Sequence, residues 1–318
     1  MIRLYRRGQT ACEPVDLSRD TALPDDAIWL DLISPSRDEE LAVERLIGLS
    51  VPTREEMAEL EASSRIYREG GATYATADLI TRGDEDIPGI EPATFILTPG
   101  PLVTVRYANP RPFAMVEEKI LRDHGLCSTG ADLFLNLMEA VIDRVSDILS
   151  HNASDVEAAA HHIFSGGKTV GFEKLITSLG RSQLANGRVE QSLAGLVRIF
   201  AFIGMDERLA GADAKAHLRS LTRDAESLVL HNQSVASSIN FQLSAALGLI
   251  NIEQSSIIKI FSVAAVAFLP PTLIASIYGM NFAHMPELSQ VWGYPLAVAA
   301  MVLSAILPLA WFRHKGWL

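Results

Sequence analysis

Residues Ile260-Phe261-Ser262-Val263-Ala264-Ala265-Val266-Ala267-Phe268-Leu269-Pro270-Pro271-Thr272-Leu273-Ile274-Ala275-Ser276-Ile277-Tyr278 run without an Asp, Glu, Lys or Arg, and a second uncharged run extends from Pro295 to Phe312. As helices these runs rise about 28 Å and about 27 Å, enough to cross a hydrocarbon core of roughly 30 Å. A buried globular helix rarely keeps such length without charge. The pair therefore predicts a two-span membrane protein with a large soluble part.

Working outward, Lys259 precedes the first run, Arg313, His314 and Lys315 follow the second, and the connecting loop has no Lys or Arg. The positive-inside bias then predicts both termini in the cytoplasm and only the loop outside, in an inner (cytoplasmic) membrane. The start Met1-Ile2-Arg3-Leu4-Tyr5-Arg6-Arg7 leads into no apolar segment of signal length, so the reading expects no removable signal. A net charge of -11 argues against nucleic acid, whose phosphates call for clustered basic residues. Cys12 and Cys127 form no metal or redox spacing and are expected as thiols.

Upstream the pattern is mixed. Ala27 to Leu32 reads as a strand, Asp38 to Ile47 as a helix capped by Ser34 or Ser36, and Thr53 to Ala62 as a helix opened by a Thr53/Glu56 capping box. Ala72 to Ile80, Thr94 to Leu97 and Leu102 to Arg106 read as strands, the last two joined at Thr98-Pro99-Gly100-Pro101. From Phe113 the pattern turns helical, with breaks at 125–130, 165–167 and 204–211. Leu133, Leu137, Val141, Val145 and Ile148, then Leu184, Leu193, Val197 and Phe200, recur as packing stripes. From about Lys215 to Tyr278 no proline intervenes before Pro270, which predicts one helix of 64 residues, about 96 Å long. Pro270-Pro271 each lack a backbone donor, which reads either as a local bend or as a tolerated irregularity.

The fold class expected is α+β: an α/β domain over 1–112, a helical region over 113–214, a long helix over 215–259 continuing into the span 260–278, a loop over 279–294, the span 295–312 and a basic tail over 313–318. Two spans cannot enclose an aqueous path alone, so a conducting form requires several copies. Enzyme chemistry finds no footing. Gly166-Gly167-Lys168-Thr169 lacks the spacing of a phosphate loop, no Ser-His-Asp or zinc-hydrolase arrangement stands out, and His161-His162 is a poor metal motif.

Tyr278-Gly279-Met280-Asn281 at the end of the first span resembles the signature of the CorA family of magnesium transporters. The resemblance extends through Phe268 to Ser276, Met285-Pro286-Glu287-Leu288, Gly248 to Gln254, Ile257-Ile258-Lys259, Glu226-Ser227-Leu228 and His231-Asn232. It continues in Trp29, Asp31, Leu32, Thr53-Arg54, Glu61 to Arg65 and the ending Gly316-Trp317-Leu318, and is nearest the enterobacterial type. It implies a funnel-shaped homopentamer in the lipid bilayer, with the long helix as stalk and pore-lining first span. It also implies transport of magnesium, with cobalt and nickel, under gating by intracellular magnesium and with no organic cofactor. The selectivity filter would be Gly279, Met280 and Asn281. Asn281 offers a neutral carbonyl acceptor for the water shell of an ion that dehydrates reluctantly, although capping the helix end is the plainer role.

The resemblance assigns the pore face to Thr272 and Ser276 near the outside, Leu269 at mid-depth, and Phe261, Ile258 and Ser255 toward the cytoplasm; ordinary interhelical packing is the alternative for each. Ser255 departs from the asparagine the family commonly places at the inner constriction. Glu287 is the one acidic residue of the outer loop and would form a cation-attracting ring. Ala283 and His284 stand where acidic or aromatic residues are frequent, and a lone His284 is weak as a zinc ligand. Regulatory magnesium would sit on carboxylates between neighbouring cytoplasmic domains, where Asp84, Glu85, Asp86 and Asp224 are candidates, or else parts of a solvated acidic surface. Two alternatives stay open: a zinc or broader nickel/cobalt pathway, and a membrane-anchored magnesium sensor that does not conduct.

Overall fold

The computed structural model describes residues 1–8, 13–14, 23–59, 61–85, 87–122, 127–165, 171–209, 211–281 and 285–316. The chain divides into two compact units, Met1–Leu243 and Ser244–Leu318.

The first unit is built on a seven-stranded sheet. In chain order its elements are β1 (Ile2–Arg6), β2 (Glu13–Pro14), β3 (Ala27–Ile33), α1 (Arg37–Ile47), α2 (Arg54–Met57), α3 (Ala62–Arg65), β4 (Ile66–Glu69), β5 (Ala72–Thr81), β6 (Gly89–Leu97), β7 (Leu102–Arg106), α4 (Arg111–Arg122), α5 (Gly130–Phe164) and α6 (Phe172–Ile203). The strands lie in the order β2-β1-β3-β7-β6-β5-β4. Only β3 and β7 run parallel, in the register Leu30 to Val103 and Leu32 to Val105, while the other pairs are antiparallel.

Strand alternation splits the core between two faces. On one, Leu30, Leu32, Val103 and Val105 meet Val43 of α1 and Met57 of α2. On the other, Tyr5 stacks on Trp29 at 4.5 Å, and Phe113 of α4 lies 6.1 Å from Trp29 and 6.0 Å from Phe95. Phe134 of α5 meets Phe95 edge-on at 5.7 Å. A buried ion pair completes this side: Arg106 donates to Asp31 at 2.8 Å, Thr104 donates to Asp31 at 2.7 Å, and the Trp29 indole donates to Thr104 at 2.8 Å. Every donor here has an acceptor, which is the condition for keeping charge in a core.

The helix starts follow their local chemistry. Ser36, Thr53 and Thr129 each form a complete capping box with Glu39, Glu56 and Asp132. The helix expected over 53–62 stops at Met57, its buried residue, where Ala58 caps it with its N–H turned back to the Glu55 and Glu56 carbonyls. Strands β1 and β4 escape the sequence reading. Leu133, Leu137, Val141, Val145 and Ile148 are buried as expected, but Leu184 is 56% exposed. The true α6 stripe contains Ser182, Asn186 and Ser192 among Leu175, Leu179, Val189, Leu193 and Leu196, so polar members hid its phase.

The next helix, α7 (Ala212–Tyr278), is continuous over 67 residues with Pro270 and Pro271 inside it, and α8 (Gly293–His314) follows. By length and composition both can cross a membrane, and only 11% of each apolar window is buried. That exposure is the reverse of a soluble core helix. The turn from α6 into α7 is clasped to the sheet. Buried Asp206 accepts from Thr73 at 2.6 Å and from Arg208 at 2.7 Å, and Arg208 also donates to Thr73 at 2.8 Å and to the carbonyls of Gly71 and Leu97. Cys127 is buried, while Cys12 and the 166–169 segment lie outside the described residues.

Candidate functional site

Six predicted pore positions lie on α7, and helix geometry decides whether they can act together. At about 100° per residue, Ser255, Ile258, Phe261, Leu269, Thr272 and Ser276 fall within an arc of about 120°. All six are exposed, with Ile258 at 64%, Phe261 at 71% and Leu269 at 65%. The two buried residues of the span, Val263 and Ala267, fall on the opposite side by the same measure, as do the half-buried Pro270 and Pro271. Val263 and Ala267 are thus covered within the second unit and all six candidate positions are open, as is Ile260 (66%) on the other side.

The prolines leave the Val266 and Ala267 carbonyls without their usual amide donors. One turn on, the Thr272 hydroxyl donates to the Phe268 carbonyl at 2.7 Å. Its proton is thereby committed to the backbone, and the oxygen keeps lone pairs for an incoming donor such as ion-bound water.

At the end of α7 the Gly279 N–H donates to the Ala275 carbonyl at 2.9 Å and the Met280 N–H to the Ile277 carbonyl at 3.3 Å. A Cβ on Gly279 would lie 3.1 Å from the Ala275 oxygen, tighter than ordinary contact. The helix end is closed by Gly279 and Met280, and the exposed Asn281 side chain forms no hydrogen bond among the described residues. The amide is left available. Glu287 falls in the short turn Pro286–Ser289, whereas Ala283 and His284 lie outside the described residues.

The proposed regulatory carboxylates are placed less simply. Asp84 pairs with Arg144 at 2.7 Å and Arg111 at 3.9 Å, and the Arg144 hydrogen bond holds its carboxyl below the usual range. Glu85 pairs with Arg82 at 3.5 Å, and Asp86 lies outside the described residues. Asp224 is exposed on α7 within reach of an acidic ladder on α5. Burial first, then Glu139, Asp147 and Asp224, raise the Asp143 carboxyl, against the lowering effect of Lys119. Glu139, Asp143 and Asp147 recur every fourth residue, a spacing legible in the sequence that the reading passed over. Among the described residues no group of three or more His, Cys, Asp or Glu is arranged to hold a metal ion within one chain.

A sheet-based unit whose last helix runs on into an apolar span, followed by a second apolar helix of spanning length, defines the architecture of a two-span integral membrane protein. The profile of a family described as "CorA-like Mg2+ transporter protein" matches residues 24–314. The chain is 35% identical over 293 residues to the magnesium transport protein CorA of Salmonella typhimurium, covering 92% of each, and 35% identical over 292 residues to that of Escherichia coli K12, again covering 92% of each. Its fold superposes on the complete structure of the CorA magnesium transporter from Methanocaldococcus jannaschii with a TM-score of 0.79 at 19% identity, covering 100% of this chain and 99% of that one. The chain belongs to the CorA family. Membership places it among transporters and not among enzymes.

Proposed function

We propose that this chain conducts magnesium across the cytoplasmic membrane through a pore shared by five copies, each supplying the α7 face from Ser255 to Ser276 and an Asn281 amide at the outer mouth. The observation that carries this reading is the arc of about 120° on α7 in which all six positions are exposed, continued at the helix end by an amide with no partner among the described residues. Magnesium sheds water reluctantly, so the amide carbonyls accept hydrogen bonds from its hydration shell. Thr272 and Ser276 continue that polar surface inward. Rings of Leu269, Phe261 and Ile258 close the path by dewetting when helices approach. Arg313, His314 and Lys315, against a loop with no Lys or Arg, support cytoplasmic termini.

A divalent ion entering down 100 mV gains about 4.6 kcal/mol, so no organic cofactor or nucleotide is required. Cobalt and nickel pass by the same hydrated route. Intracellular magnesium gates the pore through carboxylates that face a neighbouring copy, with Asp84, Glu85, Asp86 and Asp224 as candidates; cation loss releases their repulsion and favours opening.

The test is cation entry into liposomes holding the intact protein or Asn281→Ala, at fixed voltage and internal magnesium. Magnesium entry should fall at least tenfold in the variant, equivalent to about 1.4 kcal/mol on the barrier, while the oligomer persists. Unchanged entry removes Asn281 from this role, and loss of the oligomer assigns it to structure.

A further inference from the structure

Helix α8 carries exposed aromatic rings at both ends, Trp292 (71%) and Tyr294 (81%) at one and Trp311 (56%) at the other. Trp292 and Trp311 stand about 28 Å apart along the helix, close to the roughly 30 Å of a hydrocarbon core. Rings with one polar edge settle at such boundaries. The two ends differ in charge: no Lys or Arg occurs from Ile260 to Phe312, and Arg313, His314 and Lys315 follow at once. The Lys315 ammonium lies over the Trp311 ring, 5.6 Å from its centre. Among the described residues, neither Arg313 nor Lys315 has an acidic partner, and both are exposed.

We propose that this end of α8 seats the headgroup of an anionic phospholipid. Trp311 lies against the glycerol level, the Arg313 guanidinium presents its fork of donors to the phosphate, and Lys315 adds a point charge beside it. The complementarity favours a lipid with net negative charge, such as phosphatidylglycerol, because a zwitterionic headgroup offsets its own phosphate. The inference rests on α8 crossing the bilayer and is independent of what the pore conducts.

The full-length protein is purified in detergent with equal phosphatidylglycerol and phosphatidylcholine, and the lipid retained is counted by mass spectrometry. Phosphatidylglycerol should be enriched, the enrichment should shrink at high salt, and inorganic phosphate should not displace it. Arg313→Gln with Lys315→Gln should reduce the enrichment about fivefold per cation removed. Arg313→Lys with Lys315→Arg should keep most of it. Equal retention of the two lipids by the unmodified protein, displacement by phosphate, or an enrichment unchanged in the double Gln protein overturns the proposal. If that variant does not accumulate, the salt and competition measurements on the unmodified protein decide alone. Release of the protein from membranes by alkaline carbonate would instead overturn the reading of α8 as a span.

Discussion

Asn281 occupies a position where charge and release pull in opposite directions. In the proposed pore its amide oxygen would accept hydrogen bonds from a hydrated cation without a formal charge, so that the ion is recognised and still able to leave. Asn281→Asp places a carboxylate at the same point in every copy. Magnesium should then bind the mouth more tightly while maximal flux falls about tenfold, a barrier rise of about 1.4 kcal/mol; flux against concentration in liposomes separates the two, and a higher maximal flux would refute it. A second residue-scale outcome concerns acid. Burial pushes the Asp206 carboxyl up, but hydrogen bonds from Arg208 and Thr73 outweigh it and hold the group at about 2, below the ordinary 3.8. A depressed carboxylate stabilises above its unfolded pKa and loses that contribution as pH falls through the folded one. The first unit should therefore lose about 2 kcal/mol between about pH 4 and pH 2. Urea midpoints at pH 6 and pH 3 should differ less in Asp206→Asn than in the unmodified protein.

Elements meet most tightly where α5 begins. A Cβ on Gly130 would lie 2.4 Å from the Leu102 amide nitrogen and 2.8 Å from the Gly100 carbonyl oxygen, both backbone atoms that cannot swing aside. Gly130→Ala should cost about 1–3 kcal/mol, read as a lowered thermal midpoint of the protein in detergent, because either the helix start or the β6–β7 turn must move. This contact also marks what could be read in advance. The apolar run in 27–33, the turn at Thr98 to Pro101, the Thr53/Glu56 box and the long run into Tyr278 are local signals, and each is present in the structure. Strands β1 and β4 are not local facts: β1 is fixed by pairing with β3 and β4 by pairing with β5. The closeness of Gly130 to Leu102, the Asp206 clasp and the exposure of Leu184 depend on partners far along the chain. At the candidate site, the Gly-Met-Asn run was visible as a motif. That Gly279 and Met280 satisfy the helix end, leaving Asn281 over, required the backbone.

At the scale of the whole molecule, α7 leaves apolar surface outside its membrane span. Leu230 (68%), Phe241 (63%) and Ile252 (68%) are exposed, and they follow one another at intervals of 11 residues. Eleven residues return the helix to nearly the same side, within about 20°. Three large side chains in one stripe, in a segment that also carries Asp224, Glu226 and Glu253, face water only at considerable cost unless another copy covers them. Phe241 is partly covered by Phe164 of α5, whose ring stacks at 6.1 Å and is itself 59% exposed, so one chain does not finish the task. A shared pore needs the same thing, because two spans cannot enclose water. If the stripe packs between copies, Leu230→Glu with Ile252→Glu should shift the protein in detergent from a single large species toward monomer. Losing about 1.5–3 kcal/mol of burial per side chain would weaken each contact more than tenfold. Light scattering coupled to size exclusion reports the mass directly. Retention of the full mass by the variant would place the stripe away from the contacts, and leave α7 to assemble through the membrane span alone.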